Sequence, residues 1–127
     1  MRIHPLQGLV PPPAYAPEVA CVPYDVVSAA EAAALAAGRP HSLLHVDRAE
    51  IDLAPGTDPY SDAVYARARE NFAGLQEEGV LVRETGPCLY VYQQQMGAHR
   101  QRGLVAGCHV DDYDAGRLKK HEKTRRD

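Results

Sequence analysis

The sequence has no tryptophan and a single phenylalanine, Phe72, in 127 residues. Large apolar rings are therefore scarce. A core has to be built from aliphatic side chains and from the seven tyrosines, whose hydroxyls each want a wet or hydrogen-bonded end. Cysteine is limited to Cys21, Cys88 and Cys108, with no C-x-x-C spacing. An odd count without that spacing excludes a disulfide framework and a zinc ribbon. No apolar run reaches the length of a membrane span. The opening MRIHPLQGLVPPP is too broken by proline to read as a signal peptide. These absences lead to an expectation of a cytoplasmic chain in a reducing compartment, without membrane contact. Glycine-rich phosphate loops are missing too: GVLVRETG and GAHRQRG carry neither G-x-G-x-x-G nor G-K-[ST].

An excess of one charge is also lacking. The net charge is -3, but it is unevenly placed. Residues 1–101 hold seven cations and twelve carboxylates, or -5, and residues 102–127 hold seven and five, or +2. Such a balance excludes a nucleic-acid-coating protein, which is basic overall. It leaves room for a local anion site at 117–127, where six cations face Glu122 and Asp127.

At this length one domain with its own core is sufficient. The proline-rich start is extended, and its Ile3, Leu6, Leu9, Val10, Val19 and Val22 are expected to lie against that core. In SAAEAAALAAG, Ser28 and Glu31 have capping-box spacing and Gly38 offers a left-handed stop, which predicts a helix. HSLLHVD reads as a strand. Asp58–Pro59 reads as the start of a second helix, whose stripe is Val64, Ala68, Phe72 and Leu75 and whose end is Gly79. VLVRE reads as a strand. CLYVYQQQM and RGLVAGCHV read as an antiparallel hairpin joined across residues 97–100, with Leu104, Ala106, Cys108 and Val110 forming an apolar face. DDYDAG reads as a turn of solvated carboxylates, the alternative being a divalent-ion site. The expected fold is α+β: a small mixed or antiparallel sheet with two helices, incomplete at the C-terminus. The expected organisation is an N-terminal domain over 1–110 and the start of a truncated second region over 111–127.

The stretch with most chemistry is KKHEKTR. It superficially matches H-E-x-x-H, but Arg125 stands where the second imidazole of a zinc site is needed. Read as phosphoryl-transfer chemistry, Glu122 takes a proton from a hydroxyl nucleophile. Lys120, Lys123 and Arg125, with Lys119, hold phosphate oxygens, and Thr124 bonds phosphate or a Mg²⁺-bound water. Read blandly, the same stretch is a solvated basic helix. In CVPYDVVS, Tyr24 and Asp25 either face a cleft or form a tight helix entry, with Val26 or Val27 as hydrophobic staple. The histidines are scattered, and Cys108 and His109 fall on opposite faces of a strand. No metal is assigned.

In order and spacing, IHPLQGLVPPP, VPYDVVSAAEA, SLLHVDRAEIDL, DPYSDAVYARARENFAGLQEEGVL, LYVYQQQM and GLVAGCHVDDYDAGRLKKHEKTR resemble the bacterial and archaeal family called domain of unknown function 1015. The resemblance covers essentially the whole chain, and PYDVVS and KKHEKTR are its most specific parts. It implies longer relatives that continue into a D-G-H-H-R-like motif, so that this chain is expected to be an N-terminal fragment whose partner is the missing C-terminal region. More distantly, the arrangement is similar to the ParB/sulfiredoxin-like free-serine kinases. That similarity implies a nucleotide-dependent kinase for a small hydroxy compound such as serine, with ATP or ADP and Mg as cofactors of the full-length protein. His121 and Glu122 then fall on the catalytic His-Glu segment, and the fragment alone is expected to be inactive and to hold no cofactor. The alternative is a non-catalytic α+β module that binds a partner through its hairpin, Tyr90 and Tyr92 included.

Overall fold

The computed structural model describes residues 1–119. Their contacts divide them into two units: Leu9–Val82, and Met1–Gly8 together with the chain from Arg83 onward.

The first of these units is mainly helical. The strands are β1 (Ile3–His4), β2 (Leu9–Val10), β3 (Val82–Arg83), β4 (Tyr90–Met96), β5 (His99–Val105) and β6 (Gly107–Cys108). The helices are α1 (Ala16–Val19), α2 (Ala29–Ala36), α3 (Leu44–Asp47), α4 (Asp62–Glu77) and α5 (Val110–Asp114), with 3₁₀ turns at Tyr24–Val26 and Ala49–Asp52. The fold is α+β, and every sheet is a two-stranded pairing: β1 with β6, β2 with β3, β4 with β5.

Helix α2 follows from its local sequence. The Ser28 hydroxyl accepts from the Glu31 N–H while the Glu31 carboxylate accepts from the Ser28 N–H, 2.8 Å, so two orphan donors are satisfied reciprocally. Val27, one residue before the cap, packs on the cluster that contains Ala32, four positions into the helix, which is a hydrophobic staple. Gly38 then turns the chain at φ +70°.

Helix α4 ends in the same economical way. Gly79 donates to Gln76 and Val80 to Leu75 at 2.9 Å, a Schellman turn that brings Val80 beside Leu75. Val80, Leu81, Leu75 and Val19 form one buried cluster, while Ala32, Ala36 and Leu44 form another. The proline-rich start does reach a core, through Val19. Arg39 ties down the exposed carbonyls around α1 by donating to Pro17, Glu18 and Ala20.

Four sequence expectations need correction. HSLLHVD is not a strand: Asp47 and Arg48 donate to Leu43 and Leu44, making α3. Asp58–Pro59 does not start α4, because the Asp58 carboxylate accepts from Tyr60 N–H in a separate turn and the cap is Ser61. VLVRE shrinks to β3, since Val80 and Leu81 close the Schellman turn. The helices number five among the described residues, because short helical turns fill what the periodicity left as strand or turn.

The other unit carries the hairpin. Tyr90↔Val105 to Met96↔His99 pair in continuous antiparallel register. The connection is Gly97–Ala98, shorter than expected, with Gly97 at φ +58° as the first position of a II′ turn requires. The expected apolar face is not buried. Leu104, Cys108 and Val110 are exposed and Ala106 is half-buried, and β5 and β6 are separate strands. Near β1 the packing is close: a Cβ on Gly107 would meet the His4 ring at 2.5 Å.

Candidate functional site

Among the described residues of this hairpin-bearing unit, one side chain is buried, and it is Asp112. DDYD is thus not a turn of solvated carboxylates. His109 Nδ1 accepts from Asp111 N–H at 3.3 Å at the start of α5. Gly116, at φ +68°, closes its end with a second Schellman turn: Gly116 donates to Tyr113 and Arg117 to the Asp112 carbonyl. That turn returns Arg117 over Asp112, where its guanidinium donates to Oδ1 at 2.7 Å. From the far end of the sequence Arg2 donates its side chain to Oδ1 at 3.1 Å and its backbone N–H to Oδ2. Arg2, first through its side chain and then its backbone, and next Arg117, hold the Asp112 carboxyl well below the usual carboxylate range, against the opposing effect of burial. A buried carboxylate is tolerated only when paired and hydrogen-bonded in this way.

The residues picked from sequence fall as follows. Tyr24 stands on the rim of a cleft of about 230 Å³ with Arg48, Glu50, Tyr60 and Tyr65, whereas Asp25 is exposed and does not line it. Cys21, nearby in sequence, has its thiol pushed up by burial and then by Asp47, which makes it a poor nucleophile. Lys120, His121, Glu122, Lys123, Thr124 and Arg125 lie outside the described residues.

A second polar cluster escaped sequence reasoning. In the helical unit His45 Nδ1 lies 2.8 Å from Asp52 Oδ1. Asn71, on α4, donates its amide to Asp52 Oδ2 at 2.8 Å and to the His45 carbonyl at 2.6 Å. Both Asp52 oxygens therefore accept, one from the His45 ring at Nδ1 and one from the Asn71 amide. His41 is spent structurally: Nδ1 lies 2.7 Å from Glu18, Nε2 3.4 Å from Glu78, and Tyr15 meets its ring edge-on. His41, His45, Asp52, Glu70, Asn71 and Glu78 line one cleft of about 360 Å³. A larger groove, about 490 Å³ beside α2, is mainly alanine, proline and aliphatic side chains, with few converging polar groups. No local spacing announced it, because His45 lies on α3, Asp52 at the end of the following 3₁₀ turn and Asn71 on α4.

A helical unit with a histidine–carboxylate–amide cluster, and a hairpin unit pinned on one buried aspartate, define a small α+β protein. Among its described residues no helix is long and apolar enough to cross a membrane. The family model for proteins of unknown function, DUF1015, matches residues 3–127, and the chain belongs to that family. No curated protein and no solved structure matches it.

Proposed function

We propose that this chain works within a nucleotide-dependent phosphotransferase acting on a small hydroxy compound. In this reading Glu122 accepts the hydroxyl proton. His121, Lys120, Lys123, Thr124 and Arg125 surround the phosphates of Mg-ATP or Mg-ADP, together with the D-G-H-H-R-type segment that the family resemblance implies. Phosphoryl transfer asks the protein mostly for positioning and for charge stabilisation. One observation supports the reading: the chain entering the basic stretch is anchored, through the Gly116 turn and the Arg117–Asp112–Arg2 cage. A solvated basic tail needs no such anchor.

A second reading, the non-catalytic interaction module, is favoured by the hairpin. Val91 is 74% and Met96 81% exposed, and Tyr92 and Leu104 also face solvent. Two-stranded hairpins are marginal without cover, and exposed apolar side chains on both strands suit a partner surface.

Nucleotide binding separates the two. A ligand at a hundred times its Kd raises folding stability by about 2.7 kcal/mol. Thermal unfolding of the full-length protein with saturating Mg-ATP or Mg-ADP is therefore expected to move up by several degrees. Indifference to all nucleotides favours the interaction module.

A further inference from the structure

We propose that the His41–His45–Asp52–Asn71 cleft of the helical unit is a binding site for a small protonated amine that carries a hydroxyl, an amino alcohol. Its binding stands apart from phosphoryl transfer. The inference follows from which hydrogen-bonding capacity the cleft has spent. Asp52 has both oxygens occupied by His45 and Asn71. The Asn71 amide nitrogen gives both its protons, to Asp52 and to the His45 carbonyl. Among the described residues, what remains is His45 Nε2, the Asn71 side-chain oxygen and the carboxylates of Glu70 and Glu78. Glu70 has a loose contact to Arg67 at 3.5 Å, and Glu78 one to His41 at 3.4 Å. The Asn71 oxygen and the second carboxylate oxygens of Glu70 and Glu78 are acceptors, the charged ones negative, and His45 Nε2 can share a hydrogen bond with a hydroxyl. A matching ligand brings positive charge and a hydroxyl: an ammonium for the carboxylates and the Asn71 oxygen, and a hydroxyl, which can donate or accept, for His45 Nε2. A ligand with its own carboxylate meets like charge on this wall.

The floor of the cleft adds an independent observation. Glu70, Asn71, Gly74 and Glu78 run along one stripe of α4 and its C-cap. Gly74 sits inside the helix, where glycine is unfavourable. No crowding requires it, because a Cβ there would meet nothing within 4 Å. The missing side chain leaves the cleft wall open beside Gly74.

Isothermal titration of the purified protein with ethanolamine tests the assignment, with ethylene glycol and L-serine as comparison ligands. Saturable ethanolamine binding is expected, at least ten-fold tighter than either comparison ligand. His45→Gln is expected to weaken it ten-fold or more. Gly74→Leu, which fills open space, is expected to abolish it while the circular dichroism stays unchanged. The His45 ring ¹⁵N shifts should move on ethanolamine addition. Absence of saturable binding to the wild type, equal affinity for L-serine or ethylene glycol, or wild-type affinity in either folded variant would overturn the proposal.

Discussion

Asp112→Ala is expected to lower the unfolding midpoint by on the order of 10 °C, with the loss of protection concentrated in β1, β6 and α5. The reason is what the substitution leaves behind. Asp112 is the buried side chain of a unit whose described hydrophobic residues are all at least partly exposed. Removing it leaves the Arg2 backbone N–H without this acceptor and takes from two half-exposed guanidinium groups the carboxylate they share, with Arg2 keeping its contact to Asp111. What is lost is a set of charge-assisted hydrogen bonds, the stronger kind, that joins the two ends of the described chain. Hydrogen exchange reads the location: the Ile3↔Cys108 pairing should open with the variant. Asp112→Asn keeps the shape but turns an amide towards two cations, so it should rescue little.

The same carboxylate sets an acid dependence. Its folded value lies below that of an unfolded aspartate, about 3.9. Its contribution is therefore fully present above about pH 4 to 5 and is lost as pH falls through the folded value. Denaturant unfolding of the wild type from pH 6 down to pH 3 should show this loss, and Asp112→Asn should show a flatter profile over that range.

Leu44→Ala is expected to cost about 2–5 kcal/mol, the range for deleting a buried leucine without refilling the space. Leu44 is 1% exposed and packs on Ala32 and Ala36, with Cys21, Val27 and Ile51 around them. Its neighbours are small alanines on a capped helix, which have little reach with which to refill the void. The α2 backbone is also fixed at both ends, by the Ser28–Glu31 box and by Gly38. By contrast Leu104→Ala, on the exposed hairpin, should change stability by no more than about 0.5 kcal/mol. Equilibrium denaturation of the two variants side by side measures the contrast.

The sequence was legible where structure depends on neighbours along the chain. The Ser28–Glu31 cap, the Gly38 and Gly79 stops and the hairpin are each determined within a few residues. Leu44 was misplaced because a short apolar run fits strand and helix alike, and tertiary packing decides. In α3 the choice was settled by two clusters at once, Leu43 and Val46 serving one and Leu44 the other. Asp112 was unreadable for a different reason. Its burial depends on Arg2, which lies 110 positions away, and no local pattern announces that pairing. The site was half legible: KKHEKTR drew attention through its residue types, while the His45–Asp52–Asn71 cluster needs three separate elements to be brought together first.

Phosphoryl transfer by the intact protein that contains this chain, comparing wild type with Glu122→Gln, tests the proposed function most directly. Glutamine keeps the size of the side chain but cannot accept the hydroxyl proton, and general-base catalysis is worth about 10²–10⁴-fold. Transfer of the ATP γ-phosphate to a small hydroxy compound is expected in the wild type, reduced at least about 100-fold in the variant, with nucleotide affinity unchanged. Turnover retained in Glu122→Gln would contradict the account.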